Sequence, residues 1–162
     1  MPSSASTPPQ MFVQLPGYEW IETLYQGSRT IVYRALQKES QQPVVIKALN
    51  QEYPSVSELV QFRNQYTITK NLQLVGMVRT LSLEPVGHSY ALVMEDLGSI
   101  SLREYAQQQS LNLAEVLTIG LQITDILHEL CQHQIVHKDI KPANILIHPE
   151  SKQVKLIDFS IA

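Results

Sequence analysis

The periodicity of apolar residues changes once along this chain, near Gly98, and that change limits how the chain can fold. Before it, the runs YEWIETLY, TIVYRALQ and PVVIKAL alternate with turn material at QGS and KESQQ, a pattern that predicts a three-stranded antiparallel meander. In PSVSELVQFRNQYTITKNLQL, Ser55 and Glu58 have capping-box spacing, and Leu59, Phe62, Tyr66 and Thr69 recur on one helical face. MVRTLSLEP and SYALVMEDL read as two more strands around a turn at Val86, Gly87 and His88. The expectation for residues 15–97 is a small α+β lobe of five antiparallel strands and one helix. Residues 1–14 open on Ser, Pro, Ala and Gln, too little apolar surface to offset the entropy of ordering, and are expected to form a flexible leader.

Beyond Gly98 the pattern is helical. Ser101 with Glu104 and Asn112 with Glu115 are placed to cap two helices, and Val116, Ile119, Ile123, Ile126, Leu127 and Leu130 form a stripe expected to face a core. ILIHPESKQVKLI reads as two short strands around a turn at Pro149, Glu150 and Ser151. Twelve basic against fifteen acidic residues give a net charge of -3, which argues against a nucleic-acid partner or a cationic membrane-binding surface. Cys131 is the single cysteine, so no internal disulfide framework exists and a reducing, cytoplasmic location is expected. No run approaches the ~20 apolar residues of a membrane helix.

The tail carries the chemistry. Asp139 precedes Asn144 by the D-x-x-x-x-N interval in VHKDIKPANIL, and Asp158 opens KLIDFS beyond the expected hairpin. Phosphoryl transfer needs a cation on the phosphates, oxygen ligands for a metal and a base aimed at an acceptor hydroxyl. These segments offer such groups in order. On them the chain resembles serine/threonine protein kinases, from the N-terminal lobe through the DFG-like motif. The implied fold is protein kinase-like, a five-stranded lobe plus the start of a mainly helical C-lobe over residues 98–162.

The resemblance implies ATP and Mg²⁺ as cofactors and a protein with Ser or Thr acceptors as substrate. By it, Asp139 orients the hydroxyl, Lys141 steadies the transferring phosphoryl group, and Asn144 and Asp158 ligate Mg²⁺. Lys47, in VVIK, corresponds to the lysine that contacts the α- and β-phosphates. Leu24, Val32, Val45 and Leu146 match the residues that sandwich adenine. Gly27 is the one survivor of the glycine loop, and the backbone of Glu95 and Leu97 corresponds to the hinge. Taken singly, the apolar positions among these read as ordinary core.

Several positions depart from the pattern. Tyr25 and Thr30 stand where glycines are expected, Gln65 replaces the helix glutamate, Lys138 replaces the arginine of HRD, and Ser160 replaces the glycine of DFG. PGYEWIETLYQGSRTIVYRA and KLIDFSIA resemble the N-terminal kinase domain of large bacterial hybrid signalling proteins, in which sensor and histidine kinase domains follow. The sequence ends after DFSIA, so a truncated domain is expected, without the activation segment, marginally stable and inactive alone. Two rival readings remain open: a pseudokinase acting as a nucleotide-binding scaffold, and an inactive truncated product.

Overall fold

The computed structural model describes residues 14–162, so the leader expected over residues 1–14 lies, but for Gln14, outside the described residues. The chain divides into two compact units, one holding the residues up to Tyr66 with Thr80–Asp96, the other Thr67–Arg79 with Leu97–Ala162.

The first unit is a five-stranded antiparallel sheet. Its strands are β1 (Tyr18–Gln26), β2 (Thr30–Gln37), β3 (Pro43–Leu49), β4 (Thr80–Val86) and β5 (Ser89–Glu95), in the order β1-β2-β3-β5-β4. Side chains alternate between its faces. One face buries Ile31, Tyr33, Ala35, Val44, Ile46, Ala48, Ala91 and Val93, with Tyr18 and Trp20 packed against them. Helix α1 (Val56–Asn71) begins in this unit and covers the other face, where Phe62 meets Leu49 and Leu92. The capping box read from the sequence is formed: Glu58 N donates to Ser55 Oγ at 3.3 Å, and Ser55 N donates to Glu58 Oε2 at 2.9 Å. The Ser55 N–H, and the Ser55 hydroxyl donating to Glu58 Oε2 at 2.8 Å, hold the Glu58 carboxyl below its ordinary range.

In the second unit, α2 (Leu102–Gln108) and α3 (Leu113–Gln132) pack with a small sheet of β6 (Ile100–Ser101), β7 (Ile145–Ile147) and β8 (Val154–Leu156). Ser101 caps α2, and Asn112 with Glu115 forms the box that starts α3. Strand β6 is an addition to the sequence reading, because two residues carry no period; it pairs Ile100 with Ile147 and Ser101 with Leu146. Gly76 packs so closely on α3 that a Cβ there would lie 2.2 Å from Ile126 Cγ1.

The stripe on α3 needs one correction. Ile119, Ile126 and Leu130 are buried and Ile123 and Leu127 partly so, but Val116 is 49% exposed. It lies instead beside Leu113, Leu117 and Leu121, which form an exposed apolar band. No described helix is long and apolar enough to cross a membrane.

Candidate active site

Of the chemistry-bearing residues, Asp158 follows β8, and three, Asp139, Lys141 and Asn144, lie in the loop between α3 and β7. His137 is fully buried there, its ring 4.7 Å from that of Phe159 in an edge-on packing. Asp139 N donates to His137 Nδ1 at 3.2 Å, so Nδ1 is an acceptor and the ring proton sits on Nε2, which donates to Ile157 O at 2.8 Å. One neutral imidazole thus fastens the backbone at Asp139 to the strand end before Asp158. Sequence reading treated His137 only as part of the motif; of its two partners, Ile157 lies 20 residues away, beyond the hairpin.

Asp139 is held on one oxygen. Oδ2 accepts from Lys141 Nζ at 2.7 Å and from Asn144 Nδ2 at 2.8 Å, and Asn144 Nδ2 also donates to Asp139 O at 2.9 Å. Oδ1 takes part in none of these bonds, so one carboxylate oxygen remains to accept a hydroxyl proton. The Lys141 ammonium, foremost, and the Asn144 amide hold the Asp139 carboxyl below the usual carboxylate range, against partial desolvation and the nearby Asp158 charge. Asn144 is buried in the 3₁₀ turn Pro142–Asn144. Asp158 takes a left-handed backbone with φ 65°, which aspartate tolerates better than most residues. Ser160, by contrast, is not among the described residues with positive φ, so its Cβ imposes no strain where the family pattern has glycine.

Hard divalent cations take oxygen ligands and need few from protein. Asn144 directs its amide hydrogens at Asp139, which leaves its carbonyl oxygen for a cation. Asp158 engages neighbours, yet its Oδ1 is buried and accepts no hydrogen bond. A carboxylate and an amide oxygen suit Mg²⁺ in kind. Leu146, on β7, pairs with Lys155 of β8.

In the first unit, Val32 pairs with Lys47 and Arg34 with Val45, which places Val32, Val45 and Lys47 on one sheet face. Lys47 Nζ donates to Gln65 Oε1 at 2.9 Å and stands 5.5 Å from the Phe62 ring centroid. The amide oxygen of Gln65 therefore occupies the place of a helix carboxylate. Leu24 is 43% exposed and lies at an irregularity in the β1–β2 register. Glu95 ends β5 and pairs through Met94 and its own backbone with β3.

The turn from β1 to β2 is tied down. Gly27 N donates to Thr30 O at 2.9 Å, Asn50 Nδ2 to Gly27 O at 3.3 Å, and Asn50 N to Arg29 O at 2.7 Å. A Cβ on Gly27 would stand 2.5 Å from Tyr25 Oη. The Tyr25 ring folds over Gly27, and being 59% exposed it could swing aside for a larger residue. Sequence reading also missed Arg34, whose guanidinium bonds Asp96 and Glu22.

The antiparallel five-stranded unit and this loop define a protein kinase domain. A family model of the protein kinase domain matches residues 18–162, and the chain belongs to that family. A probable serine/threonine-protein kinase of Clostridium perfringens is 30% identical over 149 residues, covering 90% of this chain and 21% of its own. The serine/threonine-protein kinase PrkC of Bacillus subtilis is 32% identical over 147 residues, covering 90% and 22%. Myosin light chain kinase 3 of Homo sapiens is 31% identical over 151 residues, covering 90% and 18%. The chain thus spans about a fifth of the length of these relatives.

Proposed function

We propose that the domain transfers the γ-phosphoryl group of ATP to Ser or Thr hydroxyls of a protein in signal transduction. The observation that carries this reading is the division of labour on Asp139, one oxygen held by Lys141 and Asn144 and the other open. In the proposed mechanism Asp139 Oδ1 accepts a hydrogen bond from the acceptor hydroxyl and aims its oxygen, taking the proton as the bond to the γ phosphorus forms and the bond from that phosphorus to the β–γ bridging oxygen breaks, ADP leaving. Lys141, beside that oxygen, neutralises charge on the phosphoryl group in transit. Asn144 and Asp158 hold Mg²⁺, which when bound screens the phosphate oxygens. Lys47 holds the α- and β-phosphates as a point charge. Leu24, Val32, Val45 and Leu146 supply apolar contact to the base, Gly27 lies in the phosphate loop, and backbone groups of Glu95 and Leu97 pair with the adenine edge.

The proposed division assigns residues 15–97 to the N-lobe and 98–162 to part of the C-lobe, within a longer cytoplasmic protein that carries sensor and histidine kinase domains. The test is incorporation of labelled phosphate from Mg-ATP by the completed domain, beside Asp139→Asn and Lys47→Met. Loss of incorporation in both variants is expected. Equal incorporation in all three would end the catalytic reading. Nucleotide binding without incorporation by the parent would favour the scaffold reading instead, which Tyr25, Thr30, Gln65 and Ser160 motivate.

A further inference from the structure

Arg34 lies two residues beyond Val32 on β2, and so on the sheet face that also carries Val45 and Lys47. Its guanidinium binds two strands that no ladder joins. Nε donates to Asp96 Oδ2 at 2.5 Å and Nη2 to Asp96 Oδ1 at 3.4 Å, while Nη1 donates to Glu22 Oε1 on β1. Asp96 directly follows β5, and the strand order places both β2 and β3 between β1 and β5. The side chain therefore reaches across β3 to fasten the end of β5.

The ion pair is not an incidental surface contact. The Asp96 side chain is only 8% exposed and that of Arg34 23%, whereas Glu22 at 45% stands at the rim. A planar fork that meets both oxygens of a carboxylate fixes its orientation as well as its distance, which a lysine ammonium cannot do. What is oriented is the backbone immediately after Glu95, whose own position on β5 is set by pairing with Val44. The sheet needs no such clamp to hold β5, which is already laddered to β3 and β4. Asp96 lies past the last rung of both ladders.

We infer that Arg34 is a positioning residue for recognition of the nucleotide base: by clamping Asp96 it holds the backbone at Glu95 in the orientation that adenine requires, without touching the nucleotide. This rests on the kinase reading above. It separates two parts of nucleotide affinity, because the phosphates are served by other groups.

The experiment is titration calorimetry of the protein with Mg-ATP, adenosine and Mg-tripolyphosphate. The parent is compared with Arg34→Lys and with the double variant Arg34→Met, Asp96→Leu, which removes both charges and leaves no buried carboxylate stripped of its guanidinium. Loss of one oriented hydrogen bond predicts adenosine and Mg-ATP affinities down about tenfold in the double variant. Mg-tripolyphosphate affinity should not change. Arg34→Lys should fall between, since it keeps the charge and loses the fork. Equal losses for all three ligands would reduce Arg34 to a stabilising residue, and unchanged adenosine binding would overturn the inference outright. A parent that binds Mg-tripolyphosphate but neither adenosine nor Mg-ATP would sink the kinase reading itself, and the inference with it.

Discussion

Lys47 Nζ on β3 stands 2.9 Å from the Oε1 oxygen of Gln65, a side chain 2% exposed on α1. An ammonium is thus oriented by an amide, a bond that an uncharged acceptor makes to a charged donor and that is worth about 1.5–3 kcal/mol when buried. Gln65→Leu should weaken Mg-ATP binding by about tenfold, the lower end of that range. Gln65→Glu should bind at least as tightly as the parent, because the carboxylate accepts the same hydrogen bond with charge added. Calorimetric titration of both variants checks the ordering; a Leu variant that binds as the parent does would show that Gln65 has no part in placing Lys47.

The partners of Asp139 make a pH prediction. Lys141 first, then Asn144, pull its carboxyl below its ordinary value near 3.8. A group whose folded pKa is depressed contributes its stabilisation above the unfolded value and loses it as pH falls through the folded one. The ionised form should therefore persist throughout the range above pH 4, and a rate profile of phosphoryl transfer should show no acid limb from Asp139 there. Lys141→Met should move the carboxyl up toward its ordinary value. Carbon-13 chemical shifts of the Asp139 carboxyl, followed through an acid titration of both proteins, measure this directly.

Alkaline pH acts on the first unit through Tyr33. Burial pushes its phenol up to about 12, against a hydrogen bond with the Leu15 backbone. Between the ordinary phenol value of 10.0 and that figure the unfolded chain has released a proton that the folded chain still holds. The unfolded state then binds fewer protons, so stability falls as pH rises through this window. Tyr33→Phe should flatten the fall. Urea midpoints at stepped pH test it, and a parent-like slope in the Phe variant would remove Tyr33 as the cause.

Gly76 faces Ile126 without room for a methyl group. Gly76→Ala should cost about 1–3 kcal/mol through overpacking of a filled core. The companion Ile126→Ala should recover part of that loss, since it removes Cγ1, Cγ2 and Cδ1, the three atoms that a Cβ at position 76 would meet. Melting temperatures of the two single variants and the pair give the coupling; simple additivity would mean that the contact is not the origin of the cost.

Leu113, Leu117 and Leu121 expose an apolar band along α3. Contiguous apolar surface of this kind drives association. The chain is expected to self-associate, and Leu117→Glu with Leu121→Lys should lower light scattering without lowering the melting temperature. Scattering that does not respond to either change would place the sticky surface elsewhere.

The sequence by itself determined the five strands and α1 of the first unit, because alternation with period two and turns rich in Gly, Ser and Gln act within a few residues. It determined the helix starts at Ser55, Ser101 and Asn112 for the same reason, since a cap and its partner are three residues apart. The D-x-x-x-x-N spacing likewise named Asp139 and Asn144 as one loop. Tertiary structure alone decided the rest. Strand β6 exists only through its partner β7. The exposure of Val116 depends on which arc of α3 other segments reach. The Tyr25 ring folds over Gly27, and Arg34 meets Asp96 62 residues away. Such contacts carry no periodic signal: a guanidinium and a carboxylate so far apart in the chain become neighbours only when the sheet order has brought their strands together.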